Sequence, residues 1–200
     1  MNKTIISHFR NVDPILFSVI AQVEEVTLKM STNYFSDLCE AIVNQQLSEK
    51  AGSTIFNRFK ALFPHQKITA KYTVKLTNEK IRQCGISGAK TNYITDLAQK
   101  VHSGELKLER LEKLDNQTII KELTKVKGIG PWTAEMFLMF SLGREDVFSK
   151  GDLGLRKAIQ KLYAIKKPLT DKYYQEISTK WSPYRTYACM ILWKSLSLKK

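Results

Sequence analysis

Apolar residues recur at helical spacing along most of the chain. They lie three or four positions apart between residues 35 and 42, and again in the segment that follows Ser48, a residue suited to cap a helix N-terminus. A third such segment runs over residues 91–101. The pair Ser182-Pro183 predicts a further helix start, because proline is tolerated at the first helical position.

Strand patterns are weak by comparison, since residues 68–76 alternate only briefly and in isolation. The sequence therefore predicts an all-α fold of about eight to eleven helices, given a mean helix of about 11 residues. We expect one domain over residues 1–200, made of two helical subdomains that flank a cleft. Their approximate bounds are residues 36–145 for one, and residues 1–35 plus 146–200 for the other.

The composition suits a core that needs no disulfide or metal, with 43% hydrophobic residues. The cysteines Cys39, Cys84 and Cys189 are far apart and form no C-x-x-C pair, so we expect them to be buried as small apolar residues. Residues 1–10 show no signal-peptide pattern, and no window is apolar enough for a membrane span. The expected compartment is the cytosol.

Positive charge is large and uneven. The net charge is +13, and it is concentrated in residues 51–100 and from Lys150 onward, whereas residues 101–149 are close to neutral. Such a distribution favours a polyanionic partner, although a merely basic soluble protein would share it.

The segment Leu123 to Ala134 is the most informative. An apolar helix end leads into Gly128-Ile129-Gly130, and a second helix begins near Pro131. Two glycines around one apolar residue permit a very tight turn. The N-terminus of the second helix would then present backbone N–H groups to an anion such as a DNA phosphate. The alternative is an ordinary αα-hairpin turn without a ligand.

A single carboxylate follows the second helix. Asp152 comes directly after Gly151 and before an apolar helical segment, so on its own it is a helix N-cap. An N-cap of this kind could also act as a catalytic carboxylate, because the positive potential at a helix N-terminus favours the ionised form.

Together these features resemble the helix-hairpin-helix-Gly/Pro-Asp DNA glycosylases, in particular the alkylpurine branch of 3-methyladenine DNA glycosylase II and its shorter relatives. The resemblance covers about residues 35–195. Besides Gly151-Asp152, it is carried by Ala41–Ser48, Cys84–Lys90, Gly130–Ala134 and Trp181–Ala188. We expect the helix-hairpin-helix glycosylase fold, in a short form without the N-terminal β-rich domain of the larger bacterial enzyme.

The resemblance implies a monofunctional enzyme. Bifunctional members carry a nucleophilic lysine where this chain has Trp132, and many bind an iron–sulfur cluster through four C-terminal cysteines, where this chain has only Cys189. The implied chemistry is hydrolysis of the N-glycosidic bond of a flipped, alkylated purine, with Asp152 stabilising the cationic sugar. No cofactor is expected; the resemblance leaves open a structural monovalent cation at the hairpin.

The resemblance also implies further site residues. Candidates for the pocket of a cationic base are Trp132, Trp181, Tyr184 and Met136. Candidates for DNA contacts are Gly128, Gly130, Thr133, Gln46, Leu47, Ser48, Lys90 and Arg185. The aromatic residues could instead pack in the core, Lys90 could be solvated, and residues 45–48 could form a simple turn. The family has leucine at the position of Gln46, so either Gln46 or Leu47 could fill the gap left by the flipped base.

The implied partner is double-stranded DNA containing alkylated bases, bound by a monomer without a membrane, in a nucleoid or a nucleus according to the organism. Two alternatives remain. A non-catalytic helix-hairpin-helix DNA-binding module would need neither the carboxylate nor an aromatic pocket. A bifunctional glycosylase for oxidised bases would need lysine in place of Trp132.

Overall fold

A computed structural model describes residues 1–167 and 169–198, and helices account for its regular structure. Over these residues the chain forms twelve α-helices and two short 3-10 segments, Pro64–Gln66 and Leu108–Lys113, and no strand is assigned. The helices are α1 Lys3–Val12, α2 Pro14–Ile20, α3 Tyr34–Asn44, α4 Glu49–Lys60, α5 Ala70–Thr73, α6 Asn78–Gln83, α7 Gly88–His102, α8 Asn116–Leu123, α9 Pro131–Phe140, α10 Leu153–Leu162, α11 Asp171–Thr179 and α12 Arg185–Ser195. The all-α prediction is confirmed.

The predicted number of helices was too low. The estimate used the mean helix length, whereas α5 has 4 residues and α6 has 6. Each of these short helices is nevertheless capped, since Thr69 and Thr77 accept the N–H three residues onward. Local capping therefore defines helices that are too short to show an apolar repeat.

The chain divides into two compact units. The first contains Met1–Met30 and the residues from Leu138 onward, and the second contains Ser31–Phe137. In the first, α12 packs against α10 and α2. In the second, α7 packs against α3, α5 and α6.

Apolar side chains fill the interior of each unit. In the second unit Leu38 and Ile42 on α3 are fully buried, as are Ile94 and Leu97 on α7. The burial of this face of α3 confirms the pattern of residues 35–42. The three cysteine residues are also buried, as predicted for small apolar side chains.

The predicted helix start at Ser182-Pro183 is wrong. The Ser182–Pro183 peptide is cis, and the helix begins at Arg185. The Tyr184 N–H donates to the Trp181 carbonyl at 2.7 Å, so the chain makes a turn here before α12 begins. Pro183 therefore lies in that turn rather than in the first turn of the helix.

The part of the chain that the structure describes contains neither a membrane-spanning helix nor a metal-binding cluster. No helix there is both long and apolar enough to cross a membrane. No group of three or more His, Cys, Asp or Glu side chains there is arranged to hold a metal ion.

Candidate DNA-binding and catalytic residues

The hairpin turn, residues 124–130, joins α8 to α9 in the second unit. Gly128 has a φ of 80°, in the left-handed region that favours glycine. A Cβ at Gly128 would lie 2.1 Å from Cδ2 of Tyr93, so the tyrosine ring packs directly on the glycine backbone. Ile129 is buried next to it. Both the conformation and the close approach require glycine at position 128.

Gly130 differs from Gly128. Its φ lies outside the left-handed region, and a Cβ built on it would meet no atom within 4 Å. Its carbonyl accepts the Ala134 N–H at 3.0 Å, the first main-chain bond of α9. The fold therefore leaves open space beside Gly130, at a helix N-terminus, where main-chain N–H groups and the helix dipole favour an anion.

Three predicted residues lie on the first turns of α9. Trp132 is 48% exposed, Met136 is half-buried one turn further along the helix, and Thr133 is only 5% exposed. A spacing of four residues places Trp132 and Met136 on one face. The side chain of Thr133 is therefore shielded from solvent.

The loop of residues 45–48 connects α3 to α4. Gln46 has a φ of 56°, and the Leu47 N–H donates to the Asn44 carbonyl at 3.2 Å. Ser48 caps α4 through its bond to the Ala51 N–H at 3.4 Å, which confirms the predicted cap. The result is a tight turn in which Leu47, an apolar side chain, is 40% exposed.

Lys90 is partly buried rather than solvated. Its ammonium group donates to the carbonyls of Val43 and Gln45, at 2.8 and 2.6 Å. Burial lowers the pKa of Lys90. The lysine therefore binds the carbonyl groups at the C-terminal end of α3, where a positive charge is favourable, and its contact to a phosphate stays a prediction.

Asp152 is the N-cap of α10 in the first unit, as predicted. Its Oδ1 accepts the Leu155 N–H at 2.7 Å and the Trp193 indole N–H at 3.0 Å. The residue is 8% exposed. Two donors on one oxygen fix the rotation of the carboxylate.

Trp193 is a residue that the sequence reasoning did not assign to the site. Its ring lies beside Gly154, where a Cβ would be 3.2 Å from the indole Cδ1 and 3.0 Å from Oδ1 of Asp152. The ring also packs on Phe140, with ring centroids 6.0 Å apart. The only local signal was Gly154 in the first turn of a helix, which indicates a close approach by another group.

Trp181, predicted as a pocket wall, lies in the core of the first unit. It is 0% exposed, and its indole N–H donates to Oδ2 of Asp13 at 2.9 Å. Asp13 also caps α2 and accepts the Tyr163 hydroxyl. Burial and, to a lesser extent, this hydrogen bond to Asp13 raise the pKa of Tyr163. The core alternative holds for Trp181, because Asp13 satisfies its only donor.

Tyr184 and Arg185 stand at the start of α12. Tyr184 is half-buried, with its ring edge-on to His8 at 5.2 Å. The Arg185 guanidinium binds both carboxylate oxygens of Asp146, with Nε–Oδ1 at 2.6 Å and Nη2–Oδ2 at 3.0 Å. The charge of Arg185 is thus paired by a bridge that fixes the helix start, and its predicted contact to DNA stays a prediction.

Comparison with known proteins gives a consistent result. The family model described as "HhH-GPD superfamily base excision DNA repair protein" matches residues 39–183. DNA-3-methyladenine glycosylase 1 of Schizosaccharomyces pombe is 36% identical over 166 residues, which cover 82% of this chain and 73% of that protein.

Two solved structures of 3-methyladenine glycosylases are also similar to this chain. The Schizosaccharomyces pombe 3-methyladenine DNA glycosylase Mag1, in complex with abasic DNA, superposes with a TM-score of 0.85 at 32% identity and 98% coverage of both chains. A DNA-3-methyladenine glycosidase from Bacillus halodurans gives a TM-score of 0.84 at 40% identity, covering 98% of this chain and 88% of that one.

Proposed function

This chain belongs to the HhH-GPD superfamily of base excision DNA repair proteins, and from that premise we propose that it is a monofunctional DNA glycosylase for alkylated purines such as 3-methyladenine and 7-methylguanine. The observation that carries the proposal is Asp152, a largely buried carboxylate held by the Leu155 and Trp193 N–H groups at the start of α10. The relatives named for 3-methyladenine support the class of base.

The proposed reaction is hydrolysis at the anomeric carbon. Alkylation at N3 or N7 gives the purine a positive charge, so it leaves as a neutral base without strong general-acid help. The bond from C1′ to the base nitrogen breaks, and a water oxygen bonds to C1′ while its proton is released. In this step Asp152 stabilises the oxocarbenium-like sugar through its negative charge.

Recognition of the base is assigned to Trp132. A cationic purine gains about 0.5–2 kcal/mol from the face of an aromatic ring. Trp132 offers such a face, since it is 48% exposed on the first turn of α9, with Met136 one turn along. A neutral, undamaged purine lacks this cation–π term, so the contact favours alkylated bases.

Contacts to the rest of the DNA are assigned to two segments of the second unit. The hairpin turn and the N-terminus of α9 are proposed to bind a phosphate next to Gly130, where the fold leaves open space. Leu47 is proposed to fill the gap left by the flipped nucleotide, because it is the exposed apolar residue of the 45–48 loop. We propose that the protein binds DNA as a monomer in the compartment that holds the chromosome.

The proposal is tested by incubating the protein with DNA treated with a methylating agent and separating the released bases by chromatography. We expect release of 3-methyladenine and 7-methylguanine, and none with Asp152→Asn. Binding of the DNA without release of any base would indicate a non-catalytic module. Release from 8-oxoguanine DNA but not from methylated DNA would indicate a glycosylase for oxidised bases.

A further inference from the structure

One face of α7 contacts both segments that are proposed to bind DNA. Lys90, Tyr93 and Asp96 follow one another at a spacing of three residues, which places them on one side of the helix. Lys90 binds the 45–48 loop, and Tyr93 and Asp96 contact the hairpin turn. A single helix therefore supports two segments that are far apart in the sequence.

The contact of Lys90 is made to main-chain carbonyl groups. Its Nζ lies 2.6 Å from the Gln45 oxygen and 2.8 Å from the Val43 oxygen. These carbonyls stand where α3 ends, and the last carbonyls of a helix have no acceptor role within it. An ammonium group has three N–H donors; one of them binds the last turn of α3 at Val43 and another binds the loop at Gln45.

The hairpin turn is held from two directions. Oδ2 of Asp96 accepts the Lys127 N–H at 2.9 Å, and the ring of Tyr93 packs on Gly128. The side-chain amide of Gln45 donates to the Gly128 carbonyl at 2.8 Å. Since Lys90 binds the Gln45 carbonyl and Gln45 binds Gly128, the loop and the turn are joined through one residue.

We propose that Lys90 and Gln45 are positioning residues that hold the 45–48 loop at a fixed distance from the phosphate-binding hairpin turn. The loop and the hairpin turn are then held in place relative to each other before DNA binds. Insertion of Leu47 into the base stack and binding of a phosphate by the hairpin turn therefore occur together. This inference rests on the proposed function, because it assigns these two segments to DNA. It differs from a direct role of Lys90 in binding phosphate.

Salt dependence separates these two roles. Lys90→Met removes the ammonium group. A positioning residue neutralises no phosphate and so releases no counterion, and the slope of log affinity against log salt should therefore stay unchanged. Binding to an undamaged duplex should stay within twofold of the wild type. By contrast, unstacking of 2-aminopurine beside an abasic-site analogue, read by fluorescence, should weaken about tenfold.

Lys127→Met is the matched charge-loss variant. Lys127 is exposed in the hairpin turn, and its main-chain bond to Asp96 survives the substitution. It removes the same unit of charge as Lys90→Met without touching the 45–48 loop. If Lys127 binds a phosphate, Lys127→Met lowers the slope of log affinity against log salt by about 0.9. Unstacking then decreases only in proportion to the loss of binding.

Gln45→Ala keeps the inference testable if Lys90→Met folds poorly. It deletes the bond to the Gly128 carbonyl and leaves the charge unchanged. We expect the same loss of unstacking at an unchanged salt slope. In the double variant, which combines Lys90→Met and Gln45→Ala, unstacking should be within about twofold of that in the more impaired single variant. A slope lowered by about 0.9 in Lys90→Met, or unstacking at the wild-type level in both folded variants, would overturn the inference. Wild-type release of methylated bases tests the proposed function separately.

Discussion

Trp193 donates its indole N–H to Oδ1 of Asp152 at 3.0 Å, across 41 positions of sequence. The bond joins α12 to the cap of α10, so the tertiary packing of the first unit determines how the proposed catalytic carboxylate is oriented. The same oxygen also caps the helix through the Leu155 N–H. Orientation of Asp152 thus has one local and one long-range cause.

Trp193→Phe should slow base release and leave DNA affinity unchanged. Phenylalanine keeps a ring beside Gly154 and Phe140 but removes the donor, so the carboxylate gains rotational freedom. We expect a loss of about tenfold in the single-turnover rate. The measurement is excision from methylated DNA with enzyme in excess, with abasic-DNA affinity as the control. An equal loss of affinity and rate would assign the indole to binding instead.

Asp152→Asn and Asp152→Ala separate catalysis from helix capping. Asparagine is a good N-cap and can still accept both N–H groups, so Asp152→Asn should retain wild-type stability. Its excision rate should fall by about 100-fold or more, because the negative charge is lost.

Asp152→Ala should lose the same activity and also about 1 kcal/mol of stability, seen as a lower unfolding midpoint in urea. Both variants should bind abasic DNA nearly as tightly as the wild type. Excision by Asp152→Asn at near the wild-type rate would remove Asp152 from the mechanism.

Local chemistry explains which parts of the structure follow from the sequence. Ser48 and Asp152 each bond the N–H three residues onward, so their capping role depends on neighbours alone. The same holds for the hairpin turn, since the conformation of Gly128 is a property of the backbone at that position. The family match over residues 39–183 agrees with motifs of this local kind.

Long-range pairs explain the rest. Lys90 and Trp181 were assigned by their chemistry, but their partners lie 45 and 168 positions away. No spacing rule connects such residues, because packing brings them together. The role of Trp193 was missed for the same reason, and nothing near Arg185 in the sequence identifies Asp146 as its partner.

Gly130→Ala and Gly128→Ala should have opposite effects. A Cβ at Gly130 meets no atom within 4 Å, so Gly130→Ala should fold with wild-type stability. Its abasic-DNA affinity should fall about tenfold, since the methyl group enters the space assigned to a phosphate. Affinity can be measured by fluorescence anisotropy.

Gly128→Ala should be destabilised by more than about 2 kcal/mol, because its φ of 80° is strained for alanine and the Cβ would overlap the Tyr93 ring. Thermal and urea unfolding report this loss. Wild-type DNA binding by Gly130→Ala would show that the hairpin turn is not the phosphate anchor.

The Asp146–Arg185 bridge should make stability depend on acid pH. Burial raises the pKa of Asp146, but hydrogen bonds from Arg185 and Ser182 outweigh it and leave the pKa below its usual value of 3.8. The bridge therefore stabilises the fold above about pH 4, and this contribution is lost as pH falls through the lowered pKa of the folded state.

Asp146→Asn should lower stability by about 1–2 kcal/mol at neutral pH, and the difference from the wild type should shrink below about pH 4. Urea unfolding from pH 3 to pH 7 measures it. A difference that stays constant over this range would show that the charge of Asp146 contributes nothing.

The product should be an intact strand with an abasic site, because Trp132 stands where bifunctional relatives have a nucleophilic lysine. An indole cannot form a Schiff base with the opened sugar, so borohydride should trap no covalent adduct and β-elimination should not cut the backbone. Cleavage should appear only after alkali or an added abasic endonuclease, as seen on a denaturing gel. Lysine-rich proteins nick abasic DNA slowly, so pre-formed abasic DNA with Asp152→Asn gives the background rate. A borohydride adduct that forms in stoichiometric yield at the rate of base release would make the enzyme bifunctional.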